Sequence, residues 1–194
     1  MTLLDQTGML NSLAGTQYAF EGMFEYMNVI DASKLELPAM TLGTGCYKNM
    51  FFANNSLSAA PELPATTLAN ECYYSMFFNC QALAKVTKEL LATTIPDSCY
   101  YQMFFNCYPL TKAPYMAATS APNWSACYAM FKGCQSLAEV EVALTQWYTQ
   151  DNFADWLNGV AAQGVFKCPA ALGTNETIAR SVHRCPENWT VINI

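Results

Sequence analysis

Nine cysteines are the most reactive residues in the chain, and their spacing limits what they can do. Cys46, Cys72 and Cys99 recur at intervals of 26 or 27 residues, and so do Cys80, Cys107 and Cys134. No Cys-x-x-Cys occurs, which argues against a zinc site. Equivalent residues of successive repeats point the same way and lie about one strand spacing apart, roughly 4.8 Å. A disulfide needs its Cβ atoms closer, about 3.8 Å, and turned toward each other. The recurring thiols therefore read as small buried apolar groups. Cys168 and Cys185, each followed by proline, are the pair considered for a disulfide bridge. An odd number of cysteines leaves at least one thiol unpaired. His183 is the only histidine, which argues against a histidine-based metal centre or triad. Its place two residues before Cys185 hints at a Cys/His dyad, but nothing nearby would lower the thiol pKa, so it reads as a surface residue.

Acidic and phenolic residues recur at the same interval. Glu36, Glu62, Glu89, Tyr115 and Glu141 stand 26 or 27 residues apart. On parallel strands these carboxylates would crowd together, relieved by Lys34, Lys85, Lys88 and Lys112. Such a stripe serves either a cationic partner or divalent ion, or simply solubility and protection of the sheet. Tyr74, Tyr101 and Tyr128 form another column, with Lys48 in the comparable earlier place. Tyrosine is enriched at recognition surfaces, and it can equally cover the layer beneath it. Asn-x-Ser/Thr triplets at Asn54, Asn123, Asn175 and Asn188 matter only in a eukaryotic secretory route and read as chance.

The elements that carry these columns come from a repeat of 26–27 residues. Met-Phe occurs at Met23, Met50, Met76, Met103 and Met130, with Ile30, Leu57, Leu83, Leu110 and Leu137 seven residues after each Met. Cys-Tyr lies four residues before the Met at Cys46, Cys72 and Cys99, but Cys127 is only three before Met130, which predicts a local adjustment in that turn. A sixth, degenerate copy begins at Trp156-Leu157-Asn158-Gly159-Val160. Leu68, Cys72, Met76, Phe77 and Cys80 fit one face of a helix. Residues 32–37, 59–63, 86–90, 113–116 and 140–144 read as short strands, with Leu37, Leu63, Leu90, Met116 and Val142 pointing inward. Pro61, Pro64 and Pro114 keep them short. No single unit can bury its own apolar face, whereas a stack of units can. The expectation is an α/β right-handed solenoid of five to six repeats, with short parallel strands on one face and short helices on the other. It has an N-terminal edge or cap over residues 1–17, the repeats over 18–148, and a C-terminal cap over 149–194. That cap is read as a helix over Asp151–Ala162, an irregular closing segment, and a final strand at Trp189–Ile192.

Composition narrows the function. The net charge is −6, and the nine basic residues are scattered, so there is no footprint for nucleic acid. Only 12% of residues are charged and 53% are apolar, yet no run reaches the roughly 18 apolar residues of a membrane span. Met1 to Leu10 have neither a basic segment nor a long apolar one, so they do not read as a secretion signal. Three settings follow: an intracellular chain, a piece of a longer exported protein, or a virion component.

The run Cys-Tyr-x-x-Met-Phe-x-x-Cys-x-x-Leu, followed by Ala-Pro-Glu-Leu-Pro-Ala-Thr-Thr-Leu-Ala at residues 60–69, resembles the BspA-like leucine-rich repeats of bacterial surface proteins and some phages. The resemblance covers about residues 18–144. Trp156-x-x-Gly159-Val160, Gly164-x-Phe166 and Trp189-Thr190-Val191 are similar to the end segment of such proteins. It implies a leucine-rich-repeat fold and adhesion to a protein or glycan at a cell surface, with no catalytic residues, cofactor or metal. The alternative is a structural or receptor-binding component of a phage virion. The glutamate stripe with Tyr115 and the three column tyrosines are the candidate binding residues, and the N-terminal edge is left open to self-association.

Overall fold

A computed structural model describes residues 11–148, 150–173 and 185–194. His183, Asn175 and most of the expected N-terminal edge lie outside the described residues. Among the described residues there are five short strands: β1 (Glu89–Leu90), β2 (Tyr115–Met116), β3 (Glu139–Glu141), β4 (Val165–Cys168) and β5 (Thr190–Asn193). β1 pairs with β2, and β3, β4 and β5 form a second sheet in that order. All these pairings are parallel, with Glu89 opposite Tyr115 and Val140 opposite Phe166. Single parallel bridges carry the pattern toward the N-terminus, from Lys85 to Ala59 and from Ala59 to Asp31. The strands expected over residues 32–37 and 59–63 are not formed, and only these bridges remain there, because Pro61 and Pro64 withdraw N–H donors from the ladder. The inward column Leu37, Leu63, Leu90, Met116 and Val142 is buried throughout.

The other half of each repeat departs from expectation. Among the described residues α1 (Ala170–Gly173) is the only α-helix, and it lies outside the repeats. Where helices are expected, the chain forms a ribbon of overlapping turns. Lys48, Met50, Phe52 and Asn54 donate their N–H groups three residues back, to Gly45, Tyr47, Asn49 and Phe51 at 2.9–3.2 Å. The alternate residues Gly45, Tyr47, Asn49, Phe51 and Ala53 donate to the next repeat, at Asn70, Cys72, Tyr74, Met76 and Phe78. Every fourth residue takes a left-handed conformation: Gly45, Asn49 and Ala53; Glu71, Ser75 and Asn79; Ser98, Gln102 and Asn106; Ser125, Ala129 and Gly133. An α-helix would close every N–H within itself and exclude positive φ. The ribbon instead shares half of its N–H groups with its neighbour.

This conformation has a period of four residues, two facing inward and two outward. Cys46, Tyr47, Met50 and Phe51 are buried, whereas Lys48, Asn49, Phe52 and Ala53 are half-buried. Inside, the rings form two ladders. Phe24, Phe51, Phe77, Phe104 and Phe131 stack at 5.2–5.5 Å between centroids. Phe20, Tyr47, Tyr73 and Tyr100 stack at 5.7–6.1 Å. Both spacings lie in the favourable range for offset aromatic pairs.

The fifth copy needs no adjustment. Tyr100 donates to Ala126, so Ala126 takes the cysteine position, Cys127 the tyrosine position and Tyr128 the outer aromatic position. The helix expected over Asp151–Ala162 is also absent. A 3-10 turn at Gln150–Phe153 leads into a sixth ribbon. Phe131 donates to Trp156 and Gly133 to Asn158, which aligns Trp156-Leu157 with Met-Phe as the sequence predicts. Gly159 (φ 75°) lies so close to Gly133 that a Cβ would sit 3.5 Å from its Cα. β4 and β5 then extend the sheet, and Trp189 packs against Gly164 while its Nε1 donates to the Ala161 carbonyl at 2.9 Å. The described residues thus form a mixed structure of small parallel strands and few helices, without a closed barrel, threaded by repeated aromatic stacks.

Candidate binding faces

The cysteines are interior groups. Burial pushes the thiols of Cys46, Cys80 and Cys134 up to about 12, and those of Cys72 and Cys107 well above the ordinary range. Cys80, Cys107 and Cys134 each donate an S–H to the carbonyl of the Phe one repeat earlier, at 3.0–3.3 Å. In this column the thiol is a small apolar filler that also carries a weak donor. One pair departs from the expected separation: the sulfurs of Cys72 and Cys99 approach to 2.9 Å because their side chains turn toward each other. Cys168 keeps a free, buried thiol, so the bridge considered between Cys168 and Cys185 is not formed. The parallel register accounts for this. Thr190 is level with Val165 and Cys185 precedes it, whereas Cys168 closes the far end of β4 opposite Asn193.

The glutamate column lies on the outer face of the strands. Glu36, Glu62 and Glu89 are exposed, while Tyr115 and Glu141 are half-buried. Tyr115 interrupts the row beside Glu89. Glu62 accepts a hydrogen bond from Thr87 Oγ1 at 2.9 Å, and Glu141 lies 3.9 Å from Lys167. The sequence reading missed Glu139, the best-connected carboxylate on this face. Lys167 and Lys112 donate to the same Oε1 at 2.8 and 2.9 Å and hold its carboxyl below the usual range. Its neighbours on the parallel strands, Lys112 and Val165, are visible only once the register is known. Two grooves run along this face. The larger, about 680 Å³, is lined by Lys85, Lys88, Glu89, Lys112, Tyr115 and Glu141 among others. The smaller, about 340 Å³, lies beside Lys34, Glu36 and Glu62. Among the described residues no three His, Cys, Asp or Glu side chains converge as metal ligands.

The tyrosine column is assembled as the spacing suggests. Tyr74, Tyr101 and Tyr128 stack at 4.5 and 4.8 Å, nearly parallel. Lys48 continues the column, its Nζ 4.7 Å from the Tyr74 centroid and 2.6 Å from Glu71. Beside it runs a column that the sequence reading passed over: Phe52, Phe78 and Phe105, stacked at 4.7 Å and half-buried. The signal was the second Phe of each Met-Phe-Phe. In both columns the ring faces cover one another, so the outer surface shows ring edges and phenol hydroxyls. Asn54 is fully buried, which removes it as a glycan acceptor, and neither of its amide atoms has a hydrogen-bond partner. Asn123 donates to the Ile95 carbonyl at 2.8 Å.

No protein-family model matches the chain, and no curated protein or solved structure matches it either.

Proposed function

We propose that the chain is a right-handed solenoid of the leucine-rich-repeat type and works as a non-enzymatic binding module at a cell surface. The supporting observation is the pair of grooves along the outer strand face, where lysines alternate with the glutamate column and Tyr115 breaks it. A concave, mixed-charge face of this kind suits a protein partner of complementary charge pattern, because electrostatic complementarity selects partner and register. The aromatic columns favour a protein over a glycan. A sugar stacks on an open ring face, and here those faces are taken up by neighbouring rings.

The test is a binding screen of the intact chain against matrix proteins and bacterial glycans, repeated after changing Glu36, Glu62, Glu89 and Glu141 together to Gln. The expected result is binding to a protein ligand with an affinity that falls at least about tenfold in the quadruple variant. Binding that the substitutions leave unchanged would clear the strand face of this role. Binding confined to glycans would overturn the protein reading.

A further inference from the structure

The hydrogen bonds between ribbons all run one way. Each ribbon donates toward the ribbon that follows it in sequence and accepts from the one before. In the first ribbon Tyr18, Phe20, Gly22, Phe24 and Tyr26 donate to Thr44, Cys46, Lys48, Met50 and Phe52 at 2.8–2.9 Å. The carbonyls equivalent to Cys46, Lys48, Met50 and Phe52 are those of Ala19, Glu21, Met23 and Glu25. They face outward, and among the described residues none receives a hydrogen bond. The open edge is therefore a row of acceptors at two-residue spacing, with no donor in the row.

Among the described residues the same edge carries the largest group of exposed apolar side chains: Tyr18, Met23, Tyr26, Met27 and Ile30, the last 69% exposed. Between them, half-buried Phe20 and Phe24 end the two inner aromatic ladders. Among the described residues each ring stacks on one side only, so the edge holds two aromatic seats four residues apart. A second copy of this edge does not fit it, because carbonyl would meet carbonyl. The complement is a segment with an N–H at every second residue and aromatic rings at positions i and i+4.

We propose that this edge is a docking site for a polypeptide segment that adds one more ribbon to the stack. It is the turn-ribbon counterpart of strand addition to a sheet edge, in which main-chain hydrogen bonds supply affinity and side-chain seats supply specificity. The chain's own ribbon 45–54 defines the partner's chemistry. Its Tyr47 and Phe51 would sit on Phe20 and Phe24, and its alternate N–H groups would meet the four carbonyls.

The probe is a synthetic peptide of residues 45–54 with Cys46→Ser, titrated into the full chain by fluorescence anisotropy. Saturable binding is expected. It should weaken about tenfold or more when the amides of residues 47, 49 and 51 are N-methylated, when the order is scrambled to separate the rings, or when the chain carries Met23→Asp and Tyr26→Asp. Both chain positions are exposed, so the fold tolerates these changes, and circular dichroism verifies it. No binding, or binding that the scrambled peptide or the double variant retains, overturns the proposal. A dimer of the unmodified chain that Met23→Asp abolishes overturns it too, because the edge would then receive a second copy.

Discussion

Asn54 stands where the next three repeats place Cys80, Cys107 and Cys134, and its amide has nothing to bond. A buried polar group without a partner costs about 1–3 kcal/mol. Replacing Asn54 with Cys is therefore expected to stabilise the fold by about that amount in urea denaturation, and a destabilised variant would refute this account. The buried thiols give a second prediction. Their folded pKa values lie above the ordinary 9.0, at about 12 for Cys46, Cys80 and Cys134. Below pH 9 both states keep the proton and the full stability is present. Above pH 9 the unfolded chain loses protons that the native chain retains, so stability falls as pH rises toward 12. A melting temperature that stays level between pH 9 and pH 12 would contradict this. At this scale the sequence revealed which cysteines share a column and that they are interior. It could not reveal the Cys72–Cys99 contact, which depends on rotamers, or the clasp on Glu139, which depends on register.

The turn ribbon was only half legible. A four-residue apolar period is close to the helical 3.6, and the two were not separated. The difference was available in the residues: an ideal helix drifts about 40° with each four-residue step, yet the inward pairs recur at intervals of four. Five of the twelve left-handed positions between Gly45 and Gly133 are Gly or Asn, the residue types most tolerant of positive φ. The strands were legible in part: the inward column marks β1, β2 and β3, whereas the segments expected over 32–37 and 59–63 form only single bridges at Asp31 and Ala59. Ala53 tests the ribbon account. It holds φ 54° where the following repeats have Asn79, Asn106 and Gly133. Ala53→Gly is expected to stabilise by about 0.5–1 kcal/mol, and Ala53→Val to destabilise by more. Equilibrium denaturation of the two variants decides it, and the opposite order would speak for a helix.

Over the whole molecule, stability is unevenly shared along the aromatic ladders. Phe77 is enclosed by Phe51 and Phe104, whereas among the described residues Phe24 stacks on Phe51 alone and is half-buried. Phe77→Ala is expected to cost about 3–5 kcal/mol and Phe24→Ala markedly less. Equal losses in guanidinium unfolding would mean that position in the stack is irrelevant. Among the described residues no helix is long and apolar enough to cross a membrane.

The shared orientation of the inter-ribbon bonds also has an electrical side. Peptide groups that point the same way add their dipoles, as they do along a helix axis. Here the sum runs across the ribbons, from one end of the pile to the other. The first ribbon is its negative pole, so a cation brought to that end is favoured and an anion repelled, most strongly where little salt is present.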